Sequence, residues 1–166
     1  LLYLSSADWM ARNAAFHGAD EAYLRFLIPE GLRVLVVGCG IGDLVAALRP
    51  ARGVGIDISP RMIEIARARH PGLEFHCGDV ADADRMEQVA GPFDVILLTG
   101  SVAEVPRSLL NQLKVGGRLA AIVGEDPVMH ATLVTRVGAS EYRTRQLWES
   151  SAQALLNFAR PSRFTF

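Results

Sequence analysis

Short runs of apolar residues alternate along the chain with longer segments in which apolar residues recur at helical spacing. The runs predict strands that are buried on both faces of a parallel sheet, and the segments between them predict the helices that cover it. This alternation is typical of an α/β protein with right-handed crossovers. The predicted strands are residues 34–37, 53–57, 73–76, 93–98 and 118–123, and the predicted helices are residues 42–48, 62–69, 107–113 and a weaker polar segment that ends at residue 90.

The pattern changes after Gly124. Asp126-Pro127 leaves too little room for a crossover helix, so the next strand (131–137) is expected to run antiparallel. Gly138 begins a hairpin turn into a strand over residues 142–149. We therefore predict one domain with a Rossmann-like doubly wound α/β sheet, mostly parallel with antiparallel C-terminal strands, and with helices on both faces. Its parts are an N-terminal helical segment (1–30), a parallel α/β core (31–124) and antiparallel edge strands with a tail (125–166), and the order of the last two strands stays open.

A glycine loop follows the first strand, where Gly38, Gly40 and Gly42 let the backbone bend sharply and approach a ligand. A dinucleotide fingerprint needs its third small residue three positions after its second glycine, here Gly40, but this chain has Asp43 at that position, at the start of the following helix. A carboxylate there repels phosphate and fills the anion site of the helix end. The loop therefore favours an adenosyl ligand without phosphates, and S-adenosyl-L-methionine fits because it carries sulfonium and ammonium charges. Cys39 lies inside this turn and is predicted to be a small buried side chain rather than a nucleophile.

Two acids follow the next two strands. Asp57 ends the second strand about 20 residues after the loop, where an acid grips ribose hydroxyls in such folds, although it could also be a solvated acid. Asp79 follows the third strand and is placed to accept a hydrogen bond from an adenine amino group, with Val80 offering its backbone, although Asp79 could equally cap a helix. Ile58 and Met62 could pack on the adenine ring or simply belong to the core.

The fourth strand ends at Thr99, Gly100 and Ser101. The carboxyl end of this strand borders the ligand crevice of an open parallel sheet, so these residues are candidates for the substrate side of the site, and Thr99 also for the cofactor. The alternative is a plain turn. No catalytic residue is assigned.

Composition and charge bear on which partners, location and metals are expected. With a net charge of −1 over 166 residues there is no electrostatic case for nucleic acid, and no stretch is long and apolar enough to span a membrane. Two cysteines, Cys39 and Cys77, indicate a reducing compartment, and Leu1-Leu2-Tyr3-Leu4 does not have the form of a signal peptide, so a cytoplasmic location is predicted. The four histidines lack the spacing of metal ligands, so no metal is predicted.

The motifs occur in an order that resembles class I S-adenosylmethionine-dependent methyltransferases. The resemblance implies a seven-stranded sheet with antiparallel last strands, S-adenosyl-L-methionine as cofactor, S-adenosyl-L-homocysteine as product, and a cofactor held by the loop, Asp57 and Asp79. The family usually has an acid two residues before the first loop glycine, facing the methionyl ammonium, and this chain has Val36 there. The motifs are Val34 to Gly42, Gly55-Ile56-Asp57, Gly78-Asp79, Phe93-Asp94-Val95 and Leu113-Lys114-Val115-Gly116-Gly117-Arg118-Leu119.

The two halves of the chain resemble different subfamilies. The first hundred residues are similar to general small-substrate class I enzymes, whereas residues 93–166 are similar to bacterial protein-L-isoaspartate O-methyltransferases. The Ser/Thr substrate motif that the latter carry on a longer N-terminal arm is not found in this sequence. The chain therefore resembles a chimera of two subfamilies, recombined or engineered.

Several reaction types lack their signatures. Residues 98–101 do not match the Asn/Asp-Pro-Pro-aromatic motif of nitrogen methyltransferases. Neither cysteine follows a proline, as the nucleophile of cytosine-carbon methylation does, and Lys114 is the only lysine, whereas ribose methylation by a catalytic tetrad needs two. The remaining prediction is O-methyl transfer to a small-molecule or peptide carboxylate, or to another small acceptor, because the sulfonium is already activated and needs mainly an aligned acceptor. The alternative is an adenosyl-binding scaffold with little or no turnover. For isoaspartyl peptides we predict weak or no methylation.

Overall fold

The structure is a computed structural model that describes residue 24, residues 26–79, residue 89 and residues 91–158. The first half of these residues forms β1 (Arg33–Val37), α1 (Asp43–Ala47), β2 (Arg52–Asp57), α2 (Pro60–Arg69) and β3 (Glu74–Cys77). The second half forms β4 (Phe93–Val102), α3 (Arg107–Asn111), β5 (Leu113–Glu125), β6 (Val128–Arg136) and β7 (Tyr142–Ser150).

The seven strands form one sheet in the order β3-β2-β1-β4-β5-β6-β7. Strands β1 to β5 pair in parallel, β6 is antiparallel to β5, and β7 is antiparallel to β6. The predicted fold class is therefore confirmed. The order of the last two strands, which the sequence left open, follows from two short connections: residues 126–127 place β6 beside β5, and the hairpin at residues 137–141 places β7 on the far side of β6.

The central strand β1 shows why the predicted strand runs are continuously apolar. Leu35 and Val37 point into one buried cluster, which includes Leu109 of α3, while Val34 and Val36 point into a second cluster. The second cluster includes residues of α1 and α2, so helices cover both faces of the sheet. A fully buried side chain of this size contributes roughly 1.5–3 kcal/mol, so β1 is a main source of the stability of the sheet.

Strands β4 and β5 extend furthest beyond the residues that the pattern predicted. β4 continues through Thr99, Gly100 and Ser101 to Val102, so these residues are strand and not turn. β5 begins at Leu113, because the predicted turn at residues 115–117 forms an irregularity within the strand: Phe93 pairs with Leu113, and the next pair is Val95 with Arg118. Gly116 has φ 85°, which a residue with a Cβ rarely adopts, and this lets the extra residues loop out without ending the strand.

Helix α2 begins as the sequence predicted. Ser59 caps it by accepting the N–H of Met62 at 3.4 Å, and Pro60 occupies the first helical position. The predicted helical segments before residue 24 and over residues 80–88 lie outside the described residues. Of the helices that the structure describes, none has the length and apolar character needed to cross a membrane.

Asp94 ties the amino-terminal ends of three strands together, and its pKa gives a first prediction. It accepts the N–H of Arg33 at 2.9 Å and Nζ of Lys114 at 2.7 Å. Burial would raise the pKa of Asp94, but these two donors outweigh it and hold the pKa below its usual value. Since the pKa is lowered on folding, the pair stabilises the protein above about pH 4, and the contribution is lost as the pH falls below that value.

We expect Lys114→Met to lower the free energy of unfolding by about 0.5 kcal/mol at neutral pH, because the pair is partly exposed. Urea unfolding of both proteins between pH 3 and pH 7 measures the difference, which should shrink on acidification. Arg49→Met is the control, since it removes a more exposed ion pair with Glu30 and should have a smaller effect. A loss that is the same at every pH would show that Lys114 acts through packing instead.

Candidate functional site

A cavity of about 280 Å³ lies at the carboxyl ends of the parallel strands. It adjoins the boundary between β1 and β4, where the strand order of the sheet reverses, and ligands of open α/β sheets bind at such a position. The residues that line it come from β1, β2, β4, the loops after β1, β2 and β3, and a segment after β7. They are Val37, Gly38, Ile56, Asp57, Ile58, Gly78, Asp79, Thr99, Gly100, Gln153, Ala154, Leu155, Leu156 and Phe158.

The glycine loop is fixed to the neighbouring strand β2. The N–H groups of Gly38 and Cys39 both donate to the carbonyl of Ile56, at 2.8 and 3.0 Å. Gly38 and Gly40 have φ of 77° and 54°, in the left-handed region that favours glycine. A Cβ added to Gly40 would meet no heavy atom within 4 Å, so this part of the loop has open space beside it.

Asp57 joins the loop to the start of α2. Its Oδ2 accepts the N–H of Gly40 and its Oδ1 accepts the N–H of Ser59, both at 2.9 Å. Each carboxylate oxygen can accept more than one hydrogen bond, so both keep capacity for a ligand hydroxyl. The carboxylate therefore holds the loop in shape and also borders the cavity.

The predicted adenine side lies beyond β2. Ile58 is 42% exposed and lines the cavity together with Asp79. The N–H of Gly78 donates to the carbonyl of Asp57 at 3.0 Å, which draws the end of β3 towards β2. Val80 lies outside the described residues.

Four described residues predicted to bind the cofactor do not line the cavity: Cys39, Gly40, Gly42 and Met62. Burial, followed by the charge of Asp57, raises the pKa of the Cys39 thiol to about 12, so the thiol is neutral and unreactive at neutral pH. A Cβ at Gly42 would lie 2.6 Å from the Phe75 ring, so this glycine is needed for packing. Gly40 does not line the cavity itself, but the Asp57 carboxylate that it binds does.

The Asp43 carboxylate does not fill the end of its helix as predicted. It points instead towards the end of α2, where Arg69 Nη2 lies 3.0 Å and His70 Nε2 lies 2.8 Å away. The Arg69 and His70 side chains thus compete with the N-terminus of α1 for the Asp43 carboxylate, and this helix end has no side-chain cap. Asp43 still contributes negative charge near the loop, although it does not line the cavity.

The three substrate-side candidates have different environments. Thr99 and Gly100 line the cavity, but the Thr99 hydroxyl donates to the carbonyl of Gly38 at 2.7 Å. Ser101 is 1% exposed, and its hydroxyl donates to the carbonyl of Ala152 at 3.0 Å. Ser101 therefore fastens the chain after β7 and is turned away from any ligand.

Sequence reasoning missed the segment after β7, residues 152–158, which we call the crossing segment. It runs beside the end of β4: the N–H of Ser101 donates to the carbonyl of Gln153, and the N–H of Leu155 donates to the carbonyl of Ser101, both at 2.9 Å. The crossing segment forms one wall of the cavity. The apolar run Ala154-Leu155-Leu156 was the available signal for such a role.

Val36, at the position where the family usually has an acid, does not face the cavity. It is fully buried in the cluster that contains Val45 and Ile63, and it does not line the cavity. The resemblance implied that an acid at this position would face the ligand, but the side chain here points into the core between the sheet and the helices. Within the part of the chain that the structure describes, no three His, Cys, Asp or Glu side chains converge as a metal site requires.

Comparisons with known proteins agree with this geometry. The model of the methyltransferase domain family matches residues 34–116, which are 83 of the 166 residues. Protein-L-isoaspartate O-methyltransferase of Burkholderia pseudomallei (strain 668) is 39% identical over 69% of this chain, and the match covers 37% of that enzyme. The chain thus spans well under half the length of the curated relatives it matches.

Solved structures share the fold. A candidate protein-L-isoaspartate O-methyltransferase of Plasmodium falciparum, in complex with S-adenosyl-L-homocysteine, superposes with a TM-score of 0.69 at 16% identity, over 84% of this chain and 72% of that one. An S-adenosylmethionine-dependent methyltransferase of Thiobacillus denitrificans gives a TM-score of 0.50 at 25% identity, over 62% and 47% of the two chains. Half of the sequence matches the family model and the sheet has the corresponding architecture, so this chain belongs to the methyltransferase domain family and has its class I, Rossmann-like fold.

Proposed function

We propose that this chain binds S-adenosyl-L-methionine in the cavity and catalyses methyl transfer from it. The observation that carries the proposal is the arrangement of Asp57, which ends β2 beside the glycine loop, holds the N–H groups of Gly40 and Ser59, and lines the cavity. In this position the carboxylate can accept hydrogen bonds from two adjacent hydroxyls of a ribose.

The charge of the cavity supports this cofactor. Asp57 and Asp79 are the charged residues in the described lining, and both are acidic. A ligand with positive sulfonium and ammonium groups is favoured in such a field, whereas a phosphate is repelled. When bound, S-adenosyl-L-methionine supplies an activated methyl group, and the residues of this chain have to hold it and keep an acceptor aligned.

We further propose that the acceptor is a carboxylate, or another small nucleophile that needs little acid–base help. The name of the Burkholderia pseudomallei relative, protein-L-isoaspartate O-methyltransferase, supports a carboxyl acceptor. No histidine, lysine or arginine is among the described residues that line the cavity, so neither an imidazole base nor a cationic clamp is offered there. Without a cation, an anionic acceptor is held weakly, and we expect slow turnover and poor use of isoaspartyl peptides.

A second candidate is an adenosyl-binding scaffold with little or no turnover. The crossing segment favours it, because this segment stands at the end of β4 where an acceptor would approach. The Thr99 and Ser101 hydroxyls both donate to backbone carbonyls, so neither can donate a hydrogen bond to an acceptor molecule without rearrangement.

Methyl transfer from labelled S-adenosyl-L-methionine separates the two candidates. We expect slow incorporation of label into small carboxylic acids as base-labile methyl ester, weaker incorporation into isoaspartyl peptides, and loss of both with Asp57→Ala. Binding of S-adenosyl-L-homocysteine without transfer to any acceptor would favour the scaffold. Rapid, saturable methylation of an isoaspartyl peptide would contradict the assignment of a weak acceptor site.

A further inference from the structure

The sheet order gives the direction in which an adenosyl ligand lies. Asp79 follows β3, Asp57 ends β2, and the strands continue in the order β1 and β4. With adenine near β3 and ribose at β2, the rest of the ligand extends along the sheet edge over the end of β1 towards β4. That path passes between Gly38 and Gly100, which both lie just beyond Val37 and Leu98, the last pair of β1 with β4.

The side chain of Leu155 stands in this path. Its Cδ2 would lie 3.0 Å from a Cβ added to Gly38 and 2.8 Å from a Cβ added to Gly100. Thr99 Oγ1 lies closer still to the Cβ added to Gly38, and the carbonyl oxygen of Gln153 lies 2.7 Å from the one added to Gly100. Leu155 therefore narrows this path together with these atoms and leaves little room for a methionyl chain. The cavity that remains, about 280 Å³, is at the small end of the usual range for ligand pockets.

The crossing segment is held by few contacts. Ser101 makes two backbone hydrogen bonds and one side-chain hydrogen bond to it, and Leu155 and Phe158 pack partly against the core. Gln153, Ala154 and Leu156 of the segment are exposed, so little of it is buried. Segments with few buried contacts open at low free energy, so the crossing segment can move without disturbing the sheet.

We propose that Leu155 determines which adenosyl ligands the site holds. With Leu155 in place, the cavity accepts a ligand of the size of adenosine, and a ligand with a methionyl chain binds only when the crossing segment moves off the end of β4. This inference rests on the proposed function, because it assumes that the adenosyl group binds at Asp57. Moving the crossing segment costs free energy, and this cost lowers the affinity for the full cofactor but not the affinity for adenosine.

Two ligands and two variants test it. Adenosine and S-adenosyl-L-homocysteine are titrated by calorimetry into the parent chain, Leu155→Ala and the control Leu147→Ala, which truncates a 43% exposed leucine of β7 away from the cavity. We expect Leu155→Ala to raise the affinity for S-adenosyl-L-homocysteine by about 5- to 10-fold and to leave that for adenosine within about 2-fold. Leu147→Ala should change neither affinity.

Amide hydrogen exchange of the parent chain provides a second measurement that does not depend on a variant folding. Saturation with S-adenosyl-L-homocysteine should speed exchange of the Leu155 N–H, which bonds to Ser101 in the closed arrangement, and adenosine should not. If both ligands bind and neither measurement distinguishes them, the role of Leu155 is overturned while the proposed cofactor site stands. If the parent chain binds neither ligand, the proposed function itself fails and this inference fails with it.

Discussion

Asp57→Ala is expected to weaken binding of S-adenosyl-L-homocysteine by about 2–4 kcal/mol, or roughly 30- to 1000-fold. The carboxylate borders the cavity and can accept hydrogen bonds from both ribose hydroxyls. It also receives the N–H groups of Gly40 and Ser59, so its removal leaves the loop without the acceptor that shapes it. Calorimetric titration of the parent chain and the variant measures the loss.

Asp94→Ala is the matched control. It removes a partly buried aspartate that also accepts a backbone N–H, but at the opposite end of the sheet. This variant should be less stable than the parent chain and should bind S-adenosyl-L-homocysteine with unchanged affinity. Melting temperatures of both variants separate loss of binding from loss of folding, and equal affinity for parent and Asp57→Ala would show that the ribose is held elsewhere.

Val36→Asp is expected to lower the free energy of unfolding on the order of 3–5 kcal/mol at neutral pH. Position 36 is fully buried among apolar residues, so the introduced carboxylate would have no partner. Burial raises the pKa of such a group, so the folded state keeps it protonated while the unfolded chain ionises. The loss should therefore be smallest near pH 4, where only the burial of the neutral carboxyl remains, and grow as the pH rises towards 7, which urea unfolding across this range measures.

Val115→Asp is the control for this substitution, because Val115 is 64% exposed and a carboxylate there stays in water. It should change stability by less than about 0.5 kcal/mol. If Val36→Asp instead preserved the melting temperature and tightened cofactor binding, the acid would face the ligand as the family resemblance implied, and the placement of Val36 in the core would be wrong.

The sequence predicted the parallel strands well because their apolar runs report burial on both faces, which is a local property of each run. It failed where a distant segment decides the local structure. Thr99 to Ser101 were also a candidate turn, but Ser101 and Val102 pair with β5, and Ser101 bonds to Gln153 and Leu155, some fifty residues later. No pattern within residues 93–102 contains that information.

For the candidate site, too, the sequence predicted some residues correctly and others not. The position of Asp57 follows from the spacing of strand, loop and strand, and the structure brings it to the glycine loop. The spacing does not reveal which side of each glycine faces open space, so Gly42 was assigned to the ligand although it packs on Phe75. It also does not reveal the partners of a side chain, and the hydroxyls of Thr99 and Ser101 are already donated to carbonyls.

Amide chemical shifts during a titration with S-adenosyl-L-homocysteine test the central claim most directly, since they report both binding and its location. The account predicts saturable shifts at Gly38, Gly40, Ser59 and Asp79, around the carboxyl ends of β1, β2 and β3, with little change at Arg52 and Glu74 at the opposite ends of β2 and β3. Shifts confined to that opposite edge, or no saturable shift at millimolar ligand, would contradict the assignment of this cavity as the cofactor site.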